Sequence, residues 1–266
     1  MTDFPLKRAV KSGWDEMSDR YQRHALISTD DVHYGPLIPG ERDLHLLGDI
    51  PGKRVLELAC GGAQNSIALA KWGATVTAVD LSSNQLAHAR DLARSEGADV
   101  ALIQADIERL PMFPDESFDT IVSSNGIEFV PDIEGCLREW HRVMRRDGIA
   151  VISTVHPLGA FEWDEEQGAL LVGNYFNLPV EVWHDVGETD GQRGLTFFRT
   201  VEEMFSTLTG AGFSVERILE PVPYPIHRMT NAEKAKVPYR GTTWESDYQR
   251  LSKAPFNIIY VARRSG

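Results

Sequence analysis

The sequence has 266 residues, of which 42% are apolar and 25% are charged, as in ordinary soluble globular proteins. This length suits one α/β domain with insertions, or one domain with a small lid. The formal net charge is −12 and the arginines occur only in short, scattered clusters. Binding to nucleic acid normally requires a basic stripe, so a nucleic-acid partner is disfavoured.

The sequence contains no apolar run close to the ~18 residues of a membrane-spanning helix, so no membrane partner is expected. Residues 12–23 are polar where a signal peptide would carry its apolar region, so no signal peptide is expected. The two cysteines, Cys60 and Cys136, form neither a disulfide framework nor a CxxC motif. Together these features predict a cytoplasmic protein.

The first 48 residues precede the part of the chain that is predicted to form a sheet. They are expected to be helical at residues 14–24 and to loop through residues 30–35. A segment in this position can only fold over the sheet, so residues 1–48 are predicted to form an N-terminal helical cap. The remaining residues, 49–266, are predicted to form the main domain.

Residues 53–156 alternate short β-rich runs with amphipathic helical runs at βαβ spacing. Strands are predicted at residues 55–58, 75–79, 101–103, 120–122 and 149–154. Helices are predicted at residues 65–72, 83–95 and 133–144, the last closed by Asp147 and Gly148. Because the strands are apolar with little alternation, they fit a parallel sheet buried on both faces, which predicts a doubly wound α/β fold.

Two irregular stretches, at about residues 157–199 and 220–255, interrupt this pattern and are rich in aromatic residues. Between them, Thr200 and Glu203 form a capping box that begins a helix ending at Gly212, followed by a strand at residues 213–219. A final strand is predicted at residues 256–262. Long irregular stretches are more often lids or binding loops than idle connections, so both are predicted to be substrate lids.

The strongest motif is an apolar strand, a tight turn of small residues at positions 59–63, and the start of a helix. Backbone in such a turn can approach a ligand closely. Asp80, at the end of the next strand, can accept hydrogen bonds from both hydroxyls of a ribose. These features alone fit an NAD(P) site and an S-adenosylmethionine site equally well.

Three details favour S-adenosylmethionine. The turn lacks the GxGxxG pattern that lets a pyrophosphate rest on a helix. Glu57 ends the first strand just before the turn, where a carboxylate would repel a pyrophosphate but would suit a ligand with an ammonium group. Asp106, after the third strand, can accept a hydrogen bond from the exocyclic amine of an adenine.

The chain resembles the class I S-adenosylmethionine-dependent methyltransferases of the small-molecule, ubiquinone-biosynthesis-like group (methyltransferase type 11). The matching segments are residues 57–63, Asp80, 104–107, 118–123 and 137–148. They occur in the family's order and spacing and cover most of residues 50–156. The resemblance implies a Rossmann-like sheet of seven strands, mostly parallel with an antiparallel last strand, and S-adenosylmethionine as cofactor.

The resemblance also implies roles for individual residues. It places Ala59 and Gly61 at the methionine moiety, Asp80 at the ribose, and Leu81 on the adenine. The cofactor-binding residues expected from the motifs and the resemblance are Tyr21, Glu57, Ala59, Gly61, Asp80, Leu81, Asp106, Ile107, Ser123 and Ser124. The family usually has glycine at positions 59 and 63, and the alanines here are expected to be tolerated if their φ angles are negative.

Methyl transfer is an in-line displacement that needs mainly orientation, with a base where the acceptor is a hydroxyl or a carbon acid. The candidates for a catalytic role are His156, His33 and Glu128. Each also has a structural interpretation: His156 bonding a loop carbonyl, His33 stabilising the cap, and Glu128 capping a helix. His, Asp and Glu in these segments lack the close spacing of a metal site, so no metal is expected.

The sequence therefore predicts methyl transfer from S-adenosylmethionine to a small-molecule acceptor. The lid aromatics favour an aromatic or apolar acceptor, or they form the lids' own core. The alternatives are a protein of the same fold that catalyses a non-methylation reaction, such as a cyclisation, and a regulatory binding module. The identity of the acceptor and the oligomeric state are not predicted.

Overall fold

A computed structural model describes residues 4–183, 194–239 and 243–265 of the chain. The strands, in chain order, are β1 (Arg54–Leu58), β2 (Thr75–Asp80), β3 (Val100–Gln104), β4 (Phe118–Ser124), β5 (Met144–Val155), β6 (Glu162–Asp164), β7 (Ala169–Leu171), β8 (Val180–Trp183), β9 (Gly194–Phe197), β10 (Phe213–Leu219) and β11 (Asn257–Arg264). The α-helices are α1 (Phe4–Ala25), α2 (Glu41–Leu44), α3 (Gln64–Lys71), α4 (Ser83–Glu96), α5 (Ile133–Val143), α6 (Val201–Gly210), α7 (Asn231–Lys234), α8 (Thr243–Ser246) and α9 (Tyr248–Leu251).

Seven strands form the central sheet in the order β10–β11–β5–β4–β1–β2–β3. Strands β1 to β5 pair in parallel, whereas β11 runs antiparallel to both β5 and β10. The expected doubly wound, mostly parallel sheet with an antiparallel last strand is therefore confirmed. Because β1, β2 and β4 lie side by side and run in the same direction, the residues that follow them meet at one edge of the sheet.

Hydrophobic side chains cover both faces of the sheet. On one face, α5 and α6 pack through Leu137, Trp140 and Met204 onto Leu56 and other strand residues. On the other face, residues 32–50 and α3 pack onto the strands, and α4 adds a smaller cluster around Leu86. The continuous burial of β1 follows from this double covering. No helix within the described ranges is both long and apolar enough to cross a membrane.

The join between α5 and β5 differs from the sequence prediction. The helix ends at Val143 and β5 begins at once with Met144, which pairs with Phe118. The predicted closing turn at Asp147 and Gly148 lies within β5, where the register with β4 shifts and Asp147 has a φ of 59°. Residues 144–148, which the sequence predicts as the end of a helix and a turn, therefore belong to a strand that pairs with β4.

The two predicted lid stretches contain more structure than their sequences suggest. Residues 157–183 and 194–197 form a 3₁₀ helix and two small hairpins, β6–β7 and β8–β9, and residues 184–193 of this stretch lie outside the described residues. The capping box at Thr200 and Glu203 is confirmed, although α6 ends at Gly210 rather than Gly212. In the second stretch, Trp244 and Tyr248 pack around Leu37 in a cluster of their own, so these aromatics form local core.

Candidate functional site

A cleft opens at the edge of the sheet where β1, β2 and β4 end. It contains about 910 Å³ of space that no atom of the protein occupies, part of it open to solvent. Predicted site residues that line it are Tyr21, His33, Glu57, Ala59, Gly61, Asp80, Leu81, Asp106, Ile107 and Ser124. Side chains of α1 and Tyr239, from the C-terminal segment that follows β10 (residues 220–256), complete its wall.

The turn after β1 has left-handed backbone at three positions close together. The φ angles of Ala59, Gly61 and Ala63 are 58°, 52° and 58°. The two alanines were expected to be tolerated on the condition of negative φ angles. That condition is not met, so each carries the cost of a side chain in this region. Asp80 holds the turn, since its Oδ2 accepts a hydrogen bond from the Gly61 amide at 2.8 Å.

The tight contact between this turn and the loop after β4 leads to a testable prediction. A Cβ added at Gly126 would lie 2.2 Å from the Cβ of Ala59, although the φ of Gly126 (−139°) would allow an alanine. We expect Gly126→Ala to lower the free energy of unfolding by about 2 kcal/mol, because the clash is purely steric. Urea denaturation measures the change.

The same substitution, Gly126→Ala, is also measured in a protein that carries Ala59→Gly. Ala59→Gly removes the clashing methyl group and relieves the left-handed strain, and by itself it should stabilise the fold by ~1 kcal/mol. In this background, Gly126→Ala should cost at least ~1 kcal/mol less than in the wild type. Gly210→Ala, where the added Cβ meets nothing within 4 Å, is the control. An equal cost of Gly126→Ala in both backgrounds would show that the two residues do not touch.

Glu57 and Asp80 place two buried carboxyl groups in the wall of the cleft. Burial raises the pKa of Glu57 to about 7, and hydrogen bonds from the Ser66 amide and hydroxyl oppose the rise. Burial also raises the pKa of Asp80, while the Ser82 and Gly61 amides oppose it. An acidic wall of this kind disfavours a pyrophosphate and suits a cationic ligand.

The end of the cleft near β3 is formed by Leu81, Asp106 and Ile107. The Asp106 carboxylate is already engaged there, because the Lys7 ammonium donates to its Oδ2 at 2.7 Å. Lys7 also pairs with Glu108. Lys7 was not predicted, and its contact means that an adenine amine would share Asp106 with this lysine.

Helix α1 lies along the cleft and is attached to α4 and its N-terminal turn largely through polar side chains. Asp15 accepts a hydrogen bond from the Ser82 hydroxyl at 2.6 Å, and Asp19 pairs with His88 at 2.7 Å. These contacts bring Trp14 into the cleft wall, where its ring lies edge-on to that of Tyr21, 5.4 Å away.

At the other end of the cleft, His33 is fixed by its backbone. Its amide donates to Asn65 Oδ1 at 2.8 Å, and its carbonyl accepts from the Ser124 hydroxyl at 2.9 Å. The ring atom Nδ1 is buried and has no hydrogen-bond partner among the described residues. Burial lowers the pKa of His33 to about 4, so the imidazole is neutral at physiological pH.

The structure does not bring Ser123, Glu128 or His156 into the cleft wall. Ser123 is fully buried, and Ser124 takes the place beside the cleft. Glu128 is buried behind the wall, where it accepts a hydrogen bond from Thr154 at 3.2 Å, and burial raises its pKa to about 7. His156 bonds the Glu220 carboxylate through Nε2 and accepts the Leu158 amide through Nδ1. These contacts fit a structural role, although the partners are a carboxylate and an amide rather than a loop carbonyl.

Tyr239 and Phe129 line the cleft although the sequence did not single them out. The hydroxyls of Tyr239 and Tyr21 are 2.8 Å apart, and the Tyr239 ring lies edge-on to His33. Tyr239 comes from the C-terminal segment, far from the motifs, so no local pattern marked it. Across the described residues, no group of three or more His, Cys, Asp or Glu side chains is arranged to hold a metal ion.

The fold and the cleft define a Rossmann-like protein with an acidic pocket at the carboxyl edge of the sheet. Comparison with known proteins agrees: residues 56–152 match the family model described as "Methyltransferase domain". The uncharacterized methyltransferase YbaJ of Bacillus subtilis is 32% identical over 180 residues, covering 64% of this chain and 69% of YbaJ. The chain belongs to the class I S-adenosylmethionine-dependent methyltransferases, and S-adenosylmethionine is its cofactor.

Two further similarities extend over most of the chain. Aklanonic acid methyltransferase DauC of Streptomyces sp. is 28% identical, covering 80% of this chain and 96% of DauC. A methyltransferase structure from Mesorhizobium loti matches with a TM-score of 0.65 and 24% identity, covering 83% of this chain and 95% of that one. Some other relatives share only part of their length, since the chain covers 38% of three mycobacterial proteins and 60% of methyltransferase GfsG of Streptomyces halstedii.

Proposed function

We propose that this protein transfers the methyl group of S-adenosylmethionine to a small-molecule acceptor bound in the same cleft. One observation carries the proposal: the residues of the cofactor motifs and a set of aromatic and imidazole side chains, Tyr21, His33 and Tyr239, line a single continuous cleft. A site that must bring two small molecules together needs this arrangement.

The residues present fit the cofactor. Asp80 lines the cleft and its carboxylate can accept hydrogen bonds from a ribose. Leu81 and Ile107 offer apolar faces for an adenine, and the turn at Ala59 and Gly61 borders the space proposed for the methionine moiety. S-adenosylmethionine supplies a methyl group that is activated by attachment to a sulfonium. We infer that Glu57 and Asp80 favour this positively charged ligand over the neutral product.

We assign proton removal to His33. The acceptor atom forms its new bond to the methyl carbon as the carbon–sulfur bond breaks, with the electron pair left on sulfur, and its proton passes to His33. An acceptor oxygen becomes strongly acidic as that bond forms, so a weak neutral base is sufficient. Because the pKa of His33 is lowered to about 4, the base form is present at neutral pH.

The walls of the cleft favour an aromatic acceptor. The rings of Trp14 and Phe129 lie edge-on at 5.4 Å, and Ile27 and Val130 add apolar surface to the cleft. The relative DauC is named for a small organic acid, which supports a small-molecule substrate. The net charge of −12 does not favour a nucleic-acid substrate. Two free, buried cysteines are consistent with a cytoplasmic location.

A combined binding and transfer experiment tests this function. Calorimetry should show that one molecule of S-adenosylhomocysteine or S-adenosylmethionine binds per chain, and that NADH does not bind. Incubation with methyl-labelled S-adenosylmethionine and a panel of aromatic alcohols and acids should transfer label to at least one of them. Failure of both adenosyl ligands to bind would refute the site. Binding without transfer to any acceptor would refute the activity and favour the non-methylation alternative.

A further inference from the structure

Tyr239 is a buried residue of the cleft wall with an unusual backbone conformation. Its φ is 63°, a left-handed conformation that costs a tyrosine about 1–2 kcal/mol. Neighbouring contacts impose this conformation: Val237 is buried in the cluster around Leu37, and the Leu37 amide donates to the Pro238 carbonyl at 3.3 Å. Such strain persists where the surroundings enforce it, and it is common at functional sites.

A second residue with left-handed backbone contacts Tyr239. Asn125 directly follows β4, has a φ of 54°, and also lines the cleft. Its Oδ1 accepts a hydrogen bond from Asn257 Nδ2 at 2.6 Å. That bond sets the orientation of the amide and leaves its Nδ2 to donate to Tyr239, with which Asn125 forms a side-chain hydrogen bond.

The Tyr239 hydroxyl is therefore held by two neighbours, Asn125 and Tyr21. Burial raises the pKa of Tyr239 to about 12, and these two hydrogen bonds oppose the rise. The phenol stays neutral at physiological pH. Either hydroxyl of the tyrosine pair can be the donor. With Tyr21 as the donor, the Tyr239 oxygen accepts from Tyr21 and Asn125 with both lone pairs, and its own proton is available for donation.

His33 lies against the same ring. The centroids of the two rings are 5.6 Å apart and their planes are nearly perpendicular, at 79°. The cleft wall thus holds the Tyr239 ring against the imidazole to which proton removal is assigned. A hydroxyl of the acceptor can accept a hydrogen bond from the Tyr239 hydroxyl and give its proton to the imidazole.

We propose that Tyr239 binds the reacting oxygen of a hydroxyl-bearing aromatic acceptor, and that Asn125 and Tyr21 position the Tyr239 hydroxyl for this contact. The hydrogen bond from Tyr239 occupies one lone pair of the acceptor oxygen and leaves the other directed at the methyl donor, while the proton goes to His33. This inference rests on the proposed function and adds to it the acceptor's chemical class and the residue that selects it.

Binding of a matched pair of probe ligands tests the inference without the natural acceptor. Phenol and toluene have similar size and differ in the hydroxyl group. The dissociation constant of each is measured by NMR titration on the full chain saturated with S-adenosylhomocysteine. The wild type should bind phenol about five-fold more tightly than toluene, as expected for one neutral hydrogen bond. Tyr239→Phe should bring the ratio close to one while the affinity for toluene is retained.

Two further variants make the test specific. Tyr21→Phe removes one neighbour of the hydroxyl but not the hydroxyl itself, so it should reduce the preference for phenol less than Tyr239→Phe does. Tyr224→Phe removes a hydroxyl from the same C-terminal segment, where it bonds Asp43 outside the cleft, and should leave the ratio unchanged.

The outcomes separate this proposal from the proposed function. A preference for phenol that survives Tyr239→Phe would overturn the role of Tyr239. Equal binding of phenol and toluene to the wild type, or binding of neither, would overturn the acceptor class. Failure of S-adenosylhomocysteine to bind the wild type would instead refute the cofactor site on which the proposed function depends.

Discussion

Replacing His33 with glutamine is expected to lower kcat for methyl transfer by about 10²–10⁴-fold, the usual contribution of a general base. Glutamine keeps a polar side chain of similar length but cannot take up a proton. The backbone bonds that fix residue 33, to Asn65 and Ser124, do not involve the imidazole and should persist. The measurement is single-turnover transfer of labelled methyl to the acceptor selected from the aromatic panel.

The pH profile provides an independent test of the same residue. Burial lowers the pKa of His33 to about 4, so the neutral form that accepts protons dominates at every pH well above that value. The rate limb due to His33 should therefore appear only as the pH falls towards 4, and the bound sulfonium should move it lower still. A limb near 6.5, the value for an exposed histidine, would mean that His33 is solvated in the working enzyme.

Two other histidines serve as controls. His227 is exposed and lies outside the cleft, so His227→Gln should retain the wild-type rate. His156→Gln should act mainly on stability, since both ring nitrogens of His156 already bond neighbouring groups. If His156→Gln abolished transfer in a folded protein and His33→Gln did not, the assignment of the base to His33 would be contradicted.

The sheet was predictable because its signals are local. Apolar runs buried on both faces marked β1, β2 and β4, and Gly97 marked the end of α4, where it has a φ of 63°. The capping box at Thr200 marked α6. Each feature depends on residues within a few positions of one another. The order of strands then follows from general rules for parallel sheets, which place the motif residues at one edge.

The parts of the site that escaped prediction depend on contacts between distant segments. Nothing in the sequence around Tyr239 indicates that it would meet Tyr21 and Asn125, or that its φ would be positive. The positive φ angles of Ala59 and Ala63 were not predicted for a related reason, because alanine ordinarily avoids this region and only the tertiary position of the turn enforces it. His156 follows a sheet strand as catalytic residues often do, yet its side chain bonds Glu220 instead.

Asp80→Asn is expected to weaken the binding of S-adenosylhomocysteine by ~10–100-fold, as measured by calorimetry. The carboxylate is proposed to accept hydrogen bonds from the ribose hydroxyls, and hydrogen bonds to a charged group are about twice as strong as neutral ones. Asparagine has nearly the same size, so the change removes charge and one acceptor atom with little effect on packing. Asp99→Asn, at an exposed position before β3, is the control.

Asp80 has a second role that the experiment must separate from the first. Its two oxygens accept hydrogen bonds from the Gly61 and Ser82 amides, so they also hold the turn beside which the ligand is proposed to bind. In Asp80→Asn the side-chain amide must face one of these N–H donors, which would loosen the turn as well as weaken the ribose contact.

A matched pair of nucleosides separates the two effects. Adenosine and 2′-deoxyadenosine differ only in the 2′-hydroxyl, whereas a loosened turn would weaken both alike. If Asp80 binds the ribose, the wild type should prefer adenosine severalfold, and Asp80→Asn should reduce that preference. If the preference is unchanged while both affinities fall, Asp80 acts only through the turn. In that case the ribose is held elsewhere, and the acidic end of β2 serves the cleft as a structural support for Gly61.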